Sequence, residues 1–347
     1  MHINPRLSRR DAVGGSAVLV SIGVMVEPEQ STTRSSNMKR TLALFAALML
    51  IPTVAACTAE PTTESPTPSS PALAAEGGVS VDIGDGRTIW LNCARDGSGP
   101  TIILESGYHD GSDIWFATHA DGATPVFDQL VEDHRVCAWD RPGTLRYLTE
   151  SSSISDRTSL VDMPRTAADV VNDLHTVLDV AGEEGPYVLA AHSLGGLFAR
   201  LYAQTHPDQV AGLVFVDSFP IEMPYLMGDT CKAYSEVLSS VGGGAEPGYE
   251  LIDVDASIEQ VKNGEFPPIP IAVISKTEPF GGLPETTQGF RAAGLEAAWL
   301  AGEQYLVDLR PNTPHILVTG SDHYVQAHQP DLIVAITEMV AKQATAR

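Results

Sequence analysis

Residues 187–197 read Tyr-Val-Leu-Ala-Ala-His-Ser-Leu-Gly-Gly-Leu, an apolar strand-like run that ends at a serine among small residues, with a helical pattern starting directly behind it. A chain that turns from a buried strand straight into a helix forces its corner residue into strained backbone geometry. Small neighbours are needed so that no Cβ collides there. Tyr187 to Ala191 reads as a buried parallel strand, and Gly196 to Thr205 as a helix packed on a sheet. The corner therefore exposes the Ser193 hydroxyl, in the manner of a nucleophile elbow. Ala191 stands where the Gly-x-Ser-x-Gly pattern has its first glycine, and Gly195 supplies the second. The competing reading is a helix N-cap serine beside a glycine turn.

From Val79 onward, strand-like runs fall at 79–83, 87–94, 101–105, 135–139, 186–191, 211–216, 269–275 and 315–319, with helical patterns between most of the later ones. This alternation predicts one α/β domain on a mostly parallel sheet, over residues 79–347. Thr166 to Ala181 is predicted as a helix. Thr166 and Asp169 suit a capping box, Val170, Leu174, Val177 and Leu178 form its apolar stripe, and Gly182 ends it. Pro330-Asp331 introduces a last helix over 332–341. Residues 218–268, rich in Gly, Pro and acidic groups, interrupt the alternation where a lid would sit, and Phe219, Met223, Tyr225, Leu226 and Met227 are candidates to line an acyl pocket.

A serine hydroxyl needs a base, and the base needs an acid that holds its tautomer and stabilises its charged form. His323 follows the apolar run 316–319 in a loop before the last helix, at the sheet edge where reacting groups gather in open α/β folds. His328 is the weaker candidate, and His192 is expected to shape the turn or the pocket. Asp217 follows the apolar run 212–216 and is the first choice for the acid, with Glu278, beyond the run 269–275, as its rival. The oxyanion needs two backbone amides. Leu194 would supply one, and the turn-rich loop 106–111 the other, through Tyr108 or, alternatively, His109.

Five segments taken together, 104–108, 139–143, 191–196, 213–217 and 321–325, resemble the α/β-hydrolase superfamily, more closely its exported esterase-like or lipase-like members, over residues 79–343. The resemblance implies an eight-stranded sheet in the order 1-2-4-3-5-6-7-8, flanked by helices, with a small lid after strand six and an acid after strand six or seven. It also makes the strands of Cys93 and Cys137 neighbours, so that a disulfide between them competes with two buried free thiols. Departures are Ala191 for glycine, a loop 106–111 without the usual His-Gly pair, and Asp322 before the histidine. Asp322 would either act on His323 by proximity or point to water.

The N-terminal quarter reads differently. Met38-Lys39-Arg40, the apolar run 41–51 and the small residues to Ala56 form a signal-peptide pattern too short to span a bilayer comfortably. Val54-Ala55-Ala56-Cys57 resembles a lipobox, which would acylate Cys57. Residues 57–78 then read as a disordered spacer rich in Pro, Thr and Ser. Residues 1–37 are expected to be a rarely translated extension, the alternative being a functional twin-arginine signal at Ser8-Arg9-Arg10.

The chain carries 21 Lys+Arg against 44 Asp+Glu, a net charge of −23. Such a surface repels nucleic acid and anionic head groups. The expectation is a monomeric, exported serine hydrolase, lipid-anchored at the outer face of a bacterial cell membrane or envelope. It would cleave a small-molecule or lipid-like carboxylic ester, or a thioester or amide, and touch a membrane only through its anchor. No metal-ligand spacing or phosphate cradle is evident, and no cofactor or metal is implied. The competing readings are a catalytically silent envelope lipoprotein that uses the fold for binding, and haloperoxidase- or perhydrolase-like activity.

Overall fold

The computed structural model describes residues 77–94, 97, 99–120, 122–148, 152–240, 247–281, 286–287 and 289–346. The expected extension, signal peptide, Cys57 and the spacer up to residue 76 lie outside the described residues. Among the described residues no helix is long and apolar enough to cross a membrane.

The main sheet is built from β1 (Val79–Gly84), β2 (Arg87–Ala94), β3 (Ile102–Glu105), β4 (Val136–Trp139), β5 (Tyr187–His192), β6 (Val210–Val216), β7 (Ile271–Lys276) and β8 (His315–Val318). Its eight strands run in the order β1-β2-β4-β3-β5-β6-β7-β8, as the resemblance implies. β1 pairs antiparallel with β2, and β2 antiparallel with β4, while the pairs from β4 through β8 are parallel.

β3, β4, β5 and β7 are buried along their whole length, because helices cover both faces of a parallel sheet. The period of two assigns each side chain to a layer. On one face Leu189, Ala191, Leu213 and Phe215 pack against α2 (Ala167–Ala181) and α3 (Gly195–Thr205). On the other, Val188, Ala190, Val214 and Val216 pack with Phe127 of α1 (Val126–Leu130), Val325 of α8 (Val325–His328) and Ile333 and Val340 of α9 (Pro330–Thr345). The capping box of α2 forms as expected, and Gly182 closes the helix with φ 74°.

Cys93 lies directly opposite Cys137 in the β2–β4 register, and their sulfurs are bonded. Cys231 is a half-buried free thiol.

The segment 218–268, expected as one lid, divides in two. Beyond β6 come α4 (Met223–Met227) and α5 (Cys231–Ser240), and then α6 (Val254–Lys262). α6 belongs to the helical layer on the sheet: Ser257 Oγ accepts from the Ala167 amide at 2.9 Å, and Gln204 Nε2 donates to the Val261 carbonyl at 3.2 Å. Its Ile258 and Val261 are buried there. The cover that remains is completed from beyond β7 by α7 (Ala292–Val307), whose Gly302 lies against Pro220 and Leu226.

Candidate active site

Ser193 adopts φ 53°, the left-handed conformation that the strand-to-helix corner predicts. Its amide donates to the Val216 carbonyl at 3.1 Å, and its carbonyl accepts from Gly196 at 3.0 Å and Phe219 at 2.8 Å. A Cβ on Gly195 would sit 2.5 Å from the Ser106 carbonyl oxygen, so this glycine is obligatory. Ala191 is tolerated because its methyl points into the apolar layer, while its carbonyl accepts from Ser218 Oγ at 2.8 Å.

Asp217, also left-handed at φ 40°, leaves the end of β6 with its amide donated to Ile274 of β7 at 2.7 Å. Its Oδ1 accepts from the Lys276 amide at 3.1 Å, and its Oδ2 from His323 Nδ1 at 2.6 Å. A carboxylate only accepts, so Nδ1 of His323 carries the proton and Nε2 is left without one. Among the described residues the Ser193 hydroxyl has no hydrogen-bond partner. His323 stands beside the elbow through His192, whose Nε2 donates to the His323 carbonyl at 2.8 Å and whose ring centroid lies 4.5 Å from that of His323.

His192 thus props the loop that carries His323. Burial holds its imidazole neutral, well below the ordinary histidine range, with the charge of His323 adding to the effect. Its Nδ1 faces Asp110 Oδ2 at 3.9 Å. Burial pushes the Asp110 carboxyl up to about 6, against the donated hydrogen bond of Tyr147 at 2.8 Å.

The loop after β3 is held by charge. Arg141, buried to 1% exposure, donates through Nη1 to the Ser106 carbonyl at 2.9 Å and through Nη2 to the Gly107 carbonyl at 2.5 Å. It is clamped between Glu105, at 2.7 Å from Nη1, and Glu250, at 2.7 Å from Nε. Trp139 Nε1 donates to the second oxygen of Glu105 at 2.8 Å, yet burial outweighs both partners and pushes the Glu105 carboxyl up to about 7. Glu250 also accepts the His109 amide at 2.8 Å, so that amide is engaged and Tyr108 remains the candidate second donor. In a trans peptide the carbonyl and the following N–H point opposite ways, so fixing the Gly107 carbonyl on Arg141 turns the Tyr108 N–H away from Arg141. A Cβ on Gly107 would lie 3.0 Å from Ser193 Cβ, which puts this loop directly against the elbow.

The other candidates lie elsewhere. Glu278 is exposed on the loop beyond β7, where its carboxylate meets the Thr277 hydroxyl at 3.4 Å. Asp322 turns from His323 to the Tyr324 amide at 3.0 Å and to His328 Nε2 at 3.1 Å. Of the expected pocket residues, Phe219 and Met223 are buried, but Tyr225 is 81% exposed and faces solvent. The aromatic wall around His323 comes instead from Phe280 and Trp299, with ring centroids 4.8 and 5.5 Å away. Sequence reasoning passed over Arg141, Glu250, Asp110 and Glu303. Glu303 alone left a signal, a lone carboxylate on the buried stripe Leu295, Ala298, Trp299, Gly302, Leu306 of α7.

Fold and site together define an α/β hydrolase architecture with a serine elbow. The family model for the alpha/beta hydrolase fold matches residues 100–243. An uncharacterized protein, C23C11.06c of Schizosaccharomyces pombe, is 34% identical over 118 residues, 34% of this chain and 19% of that one. The 2-(acetamidomethylene)succinate hydrolase of Mesorhizobium japonicum is 24% identical over 297 residues, 75% of this chain and 94% of that enzyme. A solved structure described as a "putative lipase (lip1)" from Acinetobacter baumannii AYE superposes with a TM-score of 0.50 at 18% identity, over 82% of this chain and 100% of its own. The chain spans only 19% to 25% of the length of the larger curated relatives that it matches. Several matched relatives are named hydrolases or esterases, while one, from Hormonema carpetanum, is named a probable transporter. The chain thus carries the α/β-hydrolase fold.

Proposed function

We propose that this chain is a serine hydrolase that cleaves a carboxylic ester through an acyl-enzyme. The observation that carries the reading is the hydrogen bond from His323 Nδ1 to the buried Asp217 carboxylate, formed beside a serine held at positive φ. Ser193 Oγ attacks the carbonyl carbon while His323 Nε2 takes its proton, and Asp217 stabilises the imidazolium. The amides of Leu194 and Tyr108 receive the oxyanion. Collapse of the tetrahedral intermediate expels the alcohol, which takes the proton from His323. Water, deprotonated by the same ring, then attacks the acyl-serine, frees the carboxylic acid and restores the hydroxyl. Amides and thioesters use the same groups.

Export and anchoring through Cys57 belong to this reading. They are supported by the pattern of residues 38–57 and by the Cys93–Cys137 bridge, which suits an oxidising compartment. The test of function is hydrolysis of p-nitrophenyl esters over a series of acyl lengths. The expected outcome is turnover that peaks at one length and disappears in Ser193→Ala. Absence of turnover across the series in folded protein, or turnover that persists in Ser193→Ala, contradicts the reading.

A further inference from the structure

His109, whose amide Glu250 holds, is fixed on its other sides as well. It lies directly behind Tyr108 in the left-handed region, at φ 65°. A residue other than glycine keeps that backbone only where its surroundings over-determine it. Its carbonyl accepts from the Leu145 amide at 2.7 Å. The residue is 4% exposed, and its ring is stacked between Tyr108 and Tyr249, with centroids 3.7 and 4.3 Å away and interplanar angles of 20° and 18°. Nε2 lies 3.1 Å from the carbonyl oxygen of Leu238, in the last turn of α5. A carbonyl only accepts, so Nε2 carries the proton and donates it. The end of a helix leaves such carbonyls without an intrahelical partner, and this one finds its donor in the loop. Nδ1 has no partner, and burial holds the ring below the ordinary histidine range against the pull of the Glu250 carboxylate. Tyr108 is tied to the same neighbourhood, its hydroxyl accepting from the Ile252 amide at 3.1 Å.

We propose that His109 is a positioning residue of the oxyanion site: by donating Nε2–H to Leu238 it fastens the last turn of α5 to the loop 106–111, so that the cover and the Tyr108 amide keep one arrangement together. The inference rests on the serine-hydrolase reading of the site. Arg141 fixes the chain on the Gly107 side of Tyr108, and His109 fixes it on the other. The aromatic stack alone would not couple the loop to the cover, because Tyr108 and Tyr249 both lie outside α5; the Leu238 hydrogen bond is the contact that reaches the helix. An amide aimed at the place where charge develops acts mainly in the transition state, so loosening it lowers kcat and leaves ground-state binding of the ester nearly unchanged.

The experiment compares full-length wild type with His109→Phe, which keeps a ring in the stack without the donor, and His109→Gln, whose side-chain amide offers a donor at the same reach without the ring. Neither new residue favours positive φ, so the difference between the two variants isolates the hydrogen bond. Hydrogen exchange followed by mass spectrometry reads peptides covering 106–111 and 231–238. His109→Phe should exchange faster in both segments, whereas His109→Gln should leave 231–238 as protected as in wild type. With p-nitrophenyl acetate as probe, His109→Phe should lose about tenfold in kcat with KM little changed, and phenylboronic acid, which forms a tetrahedral adduct with a reactive serine, should bind about tenfold more weakly. His109→Gln should recover both quantities to within about threefold of wild type. Hydrogen exchange reads the fastening whether or not ester is turned over, so a failure of this inference is distinguishable from a failure of the hydrolase reading. If His109→Phe does not fold, NMR of the histidine ring nitrogens in wild type decides: His109 should carry its proton on Nε2, with that proton protected from exchange. Unchanged exchange in either segment of His109→Phe, equal effects in both variants, or a His109 protonated on Nδ1 would overturn the assignment.

Discussion

The elbow and the loop that faces it across the site are held in place by opposite means. Around Ser193 the constraint is space: buried apolar strands deliver the serine to the corner, and Gly195 and Gly107 leave room where a Cβ would strike backbone or side chain. Around Tyr108 the constraint is charge: a buried guanidinium between two carboxylates fixes two successive carbonyls. The strand, Ser193 and Gly195 that shape the corner are neighbours in sequence, whereas the charges of Arg141 and Glu250 meet the facing loop only after folding. The first arrangement should fail when atoms are added, and the second when a charge is removed.

The sharpest separation is expected from Ser193→Gly. It removes the hydroxyl proposed as nucleophile and also relieves the positive φ, so kcat/KM should fall by at least about 10⁴-fold while stability rises by about 1 kcal/mol. Calorimetry beside an ester assay checks both halves, and a lowered Tm would mean that the corner is not strained.

Arg141→Met should act the other way. It leaves Glu105 and Glu250 buried without their cation, at a cost of about 3–5 kcal/mol, and it releases the Gly107 carbonyl. Urea unfolding gives the stability and kcat on the remaining folded protein gives the catalytic effect. A variant as stable and as active as wild type would break the contrast between the two regions.

The smallest effect is a pH dependence at their border, where Asp110 is pushed from 3.8 to about 6. A carboxyl raised by burial contributes stability that is present at low pH and lost as pH rises through the folded value. Asp110→Asn should therefore gain in Tm relative to wild type as pH rises from about 4 to about 7. A constant difference across that window would mean that Asp110 titrates as it does in the unfolded chain.

The same contrast explains what could be read before the structure. The strands, the capping box of α2 and the elbow are written in contiguous residues, where periodicity and small side chains carry the signal. Asp217 and His323 were reachable because Asp217 directly follows β6 and His323 sits in the short loop after β8, at the same sheet edge. The choice between Tyr108 and His109 was not, because it turns on Glu250, which lies 141 residues beyond His109. Nor was the split of 218–268, since α6 differs from a lid helix only in what its apolar side meets.

Covalent labelling with a fluorophosphonate, located by peptide mass spectrometry, tests the central claim most directly. An adduct is expected on the peptide that carries Ser193, lost in Ser193→Ala and formed far more slowly in His323→Ala. Folded wild-type protein that takes up no label, or takes it up at another serine, contradicts it.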